Sequence, residues 1–84
     1  MIANMLIHVT AVESLGPTSL RVWFDDDTVK DVELGDELWG EVFEPLRDPR
    51  FFRQAFLNPE TRTVEWPNGA DLAPEFLHAR GVAV

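Results

Sequence analysis

Between Leu20 and Phe24 the chain alternates with a period of two. Leu20, Val22 and Phe24 fall on one face, and Arg21, Trp23 and Asp25 on the other. This is the pattern of a strand with one side in a core. A strand's peptide groups need partners, so this run commits the chain to a sheet. Turn clusters bound it on both sides. Gly16-Pro17-Thr18-Ser19 precedes it, and Asp25-Asp26-Asp27 follows as a hairpin turn, since Asp bonds its own backbone locally. Met5 to Val12 also alternates, with Met5, Ile7, Val9 and Ala11 on one face, and reads as the preceding strand. Thr28 to Leu34 reads as the following one, its alternation slipping between Val29 and Val32, where a bulge fits.

The second half is mixed. Leu38, Trp39, Val42 and Phe43 suggest an irregular turn before Pro45. Asp48 can cap a helix with Pro49 at its first position, and Phe51, Phe52, Ala55 and Phe56 recur at helical spacing toward a core. Asn58-Pro59-Glu60 is a turn, Thr61 to Trp66 a strand, and Trp66-Pro67-Asn68-Gly69 a second turn. A last helix runs from Pro74 to Arg80, with Gly81 just beyond it. The order β-β-β-α-β-α predicts an α+β fold: one small domain spanning residues 1–84, with its core within 5–80, and a mostly antiparallel sheet with helices on one side. With no cysteine, the core rests on apolar packing, which 45% hydrophobic residues, three Trp and six Phe can supply.

The net charge is −8, and all of it lies in residues 25–44, where nine carboxylates face Lys30 alone. Such a chain is not expected to bind DNA, RNA or an anionic membrane by itself. The candidate partner-binding residues are Asp25, Asp26, Asp27, Asp31, Glu33, Asp36 and Glu37, a face that would steer a basic protein partner. The alternative is a solvated, solubilising edge. Four carboxylates as close as Asp25, Asp26, Asp27 and Asp31 should repel, so neutralising them is expected to stabilise the chain slightly. Arg47, Arg50 and Arg53 share a flank and are expected to bridge to the acidic segment.

No catalytic, cofactor or metal constellation assembles. His8 reads as a strand residue, and His78 as a complement to the last helix's dipole. The adjacent carboxylates lack the alternate spacing of a calcium loop, and Ser14 and Ser19 lack a nucleophile-elbow context. Trp23, Trp39 and Trp66 are expected in a core or an interface. No segment has the length or flanks of a signal peptide or membrane span, so a cytoplasmic protein is expected. Exposed aromatics leave homo-oligomerisation open.

Val42-Phe43-Glu44-Pro45-Leu46-Arg47-Asp48-Pro49 with Phe52, and Val64 to Pro74 with its W-P-N-G-x-D signature, resemble the bacterial domain-of-unknown-function family 2442. Leu20 to Phe24 resembles that family's strand before an Asp-Gly turn, although Asp27 stands where Gly is usual. The resemblance implies a small α+β domain, often encoded beside another small protein in toxin–antitoxin-like pairs, with no established activity. Some members add a C-terminal helix-turn-helix, which is not expected here because the sequence stops at Val84. Within the signature, Trp66 would bury its ring, Pro67, Asn68 and Gly69 would turn the chain, and Asp71 would bond free amides at the last helix. The reading is a non-catalytic interaction module, the antitoxin-like or regulatory member of a pair. The alternative is a regulatory domain associated with a small ligand or a DNA-binding partner.

Overall fold

In the computed structural model, residues 7–84 are described. Met5 and Leu6 of the expected first strand therefore lie outside the described residues. The strands are β1 (Val9–Ser14), β2 (Ser19–Phe24), β3 (Val29–Glu33), β4 (Phe56–Asn58), β5 (Thr63–Glu65), β6 (Asp71–Leu72) and β7 (Val82–Ala83). The helices are α1 (Pro49–Phe52) and α2 (Pro74–Arg80), and 3-10 turns cover Gly35–Glu37 and Glu44–Arg47. The fold is α+β, with two antiparallel sheets ordered β1-β2-β3-β7 and β4-β5-β6.

The alternation of β2 is realised as read: Leu20, Val22 and Phe24 are buried, and Arg21 and Trp23 half-buried on the other face. Val32 and Leu34 add to the same core, with Leu38, Leu46, Phe52, Val64, Trp66 and Leu77. Bulge placement differs from expectation. The β2–β3 register is unbroken from Ser19↔Glu33 to Trp23↔Val29, whereas β1 steps from Val9↔Phe24 to Ala11↔Trp23. The extra residue is Thr10. It reverses the phase of β1, so that Val9 and Val12 face the core and Ala11 is exposed.

The first helix is shorter than its spacing suggests. Asp48 caps it, accepting from the Arg50 N–H at 2.9 Å. After Phe52 the bonds tighten to Gln54 N–H→Phe51 O and Ala55 N–H→Phe52 O, and the helix ends. Phe56 then enters β4 opposite Glu65 and is 39% exposed, so it is not a core residue. Pairing with β5 outweighs the helical spacing.

Helix α2 has the expected bounds, but Ala73 is its N-cap and no side chain bonds there. Asp71 lies exposed in β6 opposite Glu65, so the expected amide bonds are not made. Pro74 at the first position removes one free N–H in any case. Gly81 serves close approach: a Cβ there would stand 2.7 Å from that of Lys30.

Two hairpins share one turn geometry. Phe24 N–H bonds Thr28 O at 2.9 Å and Asp27 N–H bonds Phe24 O at 3.2 Å. Trp66 N–H bonds Ala70 O at 2.8 Å and Gly69 N–H bonds Trp66 O at 2.9 Å. The third loop residue is left-handed in both, with φ 70° at Asp27 and 90° at Gly69. In both, the middle side chain accepts an N–H two residues on: Asp26 from Thr28, and Asn68 from Ala70, each at 3.1 Å.

Candidate partner-binding face

Seven of the nine carboxylates of residues 25–44, those from Asp25 to Glu37, lie on the hairpin β2–β3 and the 3-10 turn after it, and six of these seven are engaged within the chain. Asp25 accepts the His8 backbone N–H at 3.0 Å and faces its Nδ1 at 2.9 Å. Asp26 accepts the Thr28 hydroxyl and lies 3.0 Å from His78 Nε2. Asp31 takes a bidentate bond from Arg21, its direct cross-strand neighbour, at 2.8 and 3.1 Å. Glu33 accepts both the Ser19 and Thr18 hydroxyls and the Gly35 N–H. Arg80 reaches Asp36 with one guanidinium nitrogen and Glu37 with another at 3.0 Å. Of the seven candidates, Asp27 alone makes no side-chain hydrogen bond or ion pair among the described residues.

These donors shift the titrations. The His8 backbone N–H foremost holds the Asp25 carboxyl below its ordinary value, and the Thr28 hydroxyl does so for Asp26. The Arg21 guanidinium lowers Asp31 and is raised in turn by it. The Ser19 and then the Thr18 hydroxyl lower Glu33. The fold therefore favours the ionised form at Asp25, Asp26 and Asp31. Neutralising these three removes made bonds, a loss that opposes the small gain expected from relieving repulsion.

The Arg47/Arg50/Arg53 flank does not bridge to this segment. Arg50 pairs with its own helix cap Asp48 at 3.4 Å, and Arg47 and Arg53 form no ion pair among the described residues. Arg21 instead meets Asp31, Arg80 meets Asp36 and Glu37, and the His8 and His78 rings meet Asp25 and Asp26, partners 10 to 52 residues away in sequence that periodicity does not reveal. His78 does more than complement a dipole: its ring also packs edge-on against Phe24, centroids 4.8 Å apart.

Asp26, His78 and Thr28 lack the geometry of a catalytic relay, which needs carboxylate and hydroxyl on opposite ring nitrogens. Here both lie near Nε2, so the trio ties α2 to the hairpin. Among the described residues no three His, Cys, Asp or Glu side chains cluster to hold a metal ion. No helix among them is long and apolar enough to cross a membrane.

The three tryptophans separate. Trp66 is fully buried and donates Nε1–H to Phe52 O at 2.8 Å, while Trp23 is half-buried on the outer sheet face. Trp39 is 68% exposed, so it is not core. It stands in the turn leading to Glu44, with exposed Val42, Glu41 and Glu44. Both glutamates are without a side-chain partner among the described residues, and neither was among the seven candidates. A lone exposed tryptophan leaves no periodic trace to find it by.

The model of the family DUF2442, proteins of unknown function, matches residues 9–83. The chain belongs to this family. Within this DUF2442 domain the W-P-N-G turn does two things through one side chain. Asn68 closes the turn by accepting Ala70 N–H, and it donates Nδ2–H to Val42 O at 2.9 Å. The left-handed residue expected as Gly in the first hairpin is Asp27, which adopts the required φ itself. Among solved structures, the domain is similar to the "Putative DNA Binding Protein NE0471" of Nitrosomonas europaea, at 27% identity and a TM-score of 0.80. The match covers 95% of this chain and 52% of that one, so the domain spans about half the length of that protein. No curated protein matches the chain.

Proposed function

We propose that this domain is a non-catalytic protein-interaction module that receives a basic protein partner on its acidic side, in an antitoxin-like or regulatory role within a two-protein pair. The observation that carries the reading is the exposed carboxylates with no side-chain partner among the described residues, Asp27, Glu41 and Glu44, within the segment that holds the whole net charge. Such a field speeds the encounter with a cation-rich surface and repels nucleic acid phosphates. The name of the Nitrosomonas protein supports a second form of the reading, in which the domain regulates DNA binding carried out by a partner or a further domain.

The test is co-expression with the product of the adjacent gene, followed by association kinetics at rising salt. The on-rate should fall steeply with ionic strength, because exposed charges are screened beyond about 10 Å at 0.1 M. Asp27→Asn with Glu41→Gln and Glu44→Gln should lower it while melting is unchanged. Absence of a complex, or an on-rate indifferent to salt and to these substitutions, defeats the proposal.

A further inference from the structure

An exposed tryptophan in a small domain costs apolar hydration unless something covers it. The turn bearing Trp39 is held rather than loose. Leu38 and Leu46 are fully buried and Phe43 packs against the core, fixing both sides. Between them Gly40 turns at φ 93°, Glu44 N–H bonds Gly40 O at 2.8 Å, and Asn68 clasps Val42 O. Trp39 and Val42, 68% and 47% exposed, are thus displayed from a fixed backbone with Glu41 and Glu44 beside them.

We propose that the turn from Trp39 to Glu44 is the contact point for an arginine-bearing segment of a protein partner, with Asn68 of the W-P-N-G turn as its scaffold. This rests on the interaction reading and names the chemistry that meets it. A guanidinium is planar and weakly hydrated, so it stacks on an indole face while its edge bonds carboxylates; a lysine ammonium does the second well and the first poorly. The neighbouring carboxylates already receive a guanidinium within the chain, since Arg80 bonds Asp36, Glu37 and the Glu33 carbonyl. Glu41 and Glu44 offer the same chemistry without an internal arginine. A second copy is disfavoured as the occupant because each brings a charge of −8. An exposed apolar centre with a charged rim becomes an interface hot spot when a partner covers it, and tryptophan and arginine are enriched at such spots.

Acetyl-hexaarginine amide and acetyl-hexalysine amide, titrated against the full chain at equal ionic strength, separate the two parts. The arginine peptide should bind about two- to five-fold more tightly. Trp39→Ala should bring that ratio to one, with melting unchanged because the ring is exposed. Asn68→Asp keeps the oxygen that accepts Ala70 N–H but loses the donor to Val42, so the ratio should fall there too. Glu60→Gln, in the exposed turn between β4 and β5 and outside the acidic segment, should leave it unchanged. Equal affinities in the parent chain, or a ratio indifferent to Trp39→Ala, overturns the assignment. A complex with the adjacent gene product that survives Trp39→Ala leaves the interaction reading standing and refutes this contact point. A dimer in sedimentation that Trp39→Ala dissolves also refutes it, by giving the turn a different occupant.

Discussion

Replacing Trp66 by Ala removes the largest fully buried side chain of the domain. The indole packs against the Phe52 ring with centroids 5.6 Å apart and bonds the Phe52 carbonyl through Nε1–H. Truncating a buried aromatic to Ala costs about 3–5 kcal/mol. A domain of this size has a total of roughly 4–13 kcal/mol, so the variant should lose between about a quarter and all of its stability. Trp66→Phe separates ring from hydrogen bond. It retains most of the apolar volume, and Phe52 O still accepts Ala55 N–H at 3.2 Å, so the loss should be about 1–2 kcal/mol. Urea denaturation followed by far-ultraviolet circular dichroism reads both without relying on the removed fluorophore. A loss below about 1 kcal/mol for Trp66→Ala would refute the burial argument. Equal losses for the two variants would show that the hydrogen bond, rather than the ring, carries the stability.

The twin hairpin turns predict opposite signs. Gly69→Ala should cost about 1–2 kcal/mol from backbone strain alone, since an added Cβ meets nothing within 4 Å. Asp27→Gly should gain up to about 1 kcal/mol, and shifts of like sign in melting temperature would contradict the shared geometry. Thr63→Val takes a hydroxyl from a residue only 4% exposed that donates to Leu72 O, and should cost about 1–3 kcal/mol in denaturant unfolding. Asp25, Asp26, Asp31 and Glu33 titrate below their ordinary values of 3.8 for Asp and 4.5 for Glu. Their contribution is complete above those values and is lost as pH falls through them to the lower folded ones, so melting temperature should drop below about pH 5. A flat profile from about pH 5 to 2 would count against these bonds. Asp31→Asn should lower the melting temperature at neutral pH, where a merely solubilising carboxylate would leave it unchanged.

Local chemistry made much of this domain legible. The period of β2, the turns at Asp25–Asp27 and Trp66–Gly69, and the bounds of α2 depend on interactions a few residues apart, so neighbouring residue types suffice to place them. Burial of Trp66 follows from its size at the end of a core strand. The tertiary structure decided whatever needed a distant partner. Helix α1 stops at Phe52 because Phe56 pairs with Glu65. Strands β4, β6 and β7, too short to show a period, exist only through the strands beside them. The acidic segment was plain as composition, yet which carboxylates are spent and which are open depended on Arg21, Arg80, His8 and His78 arriving from elsewhere. Net charge is a sum over residues and can be read in any order. An ion pair is a distance, and only the folded chain sets it.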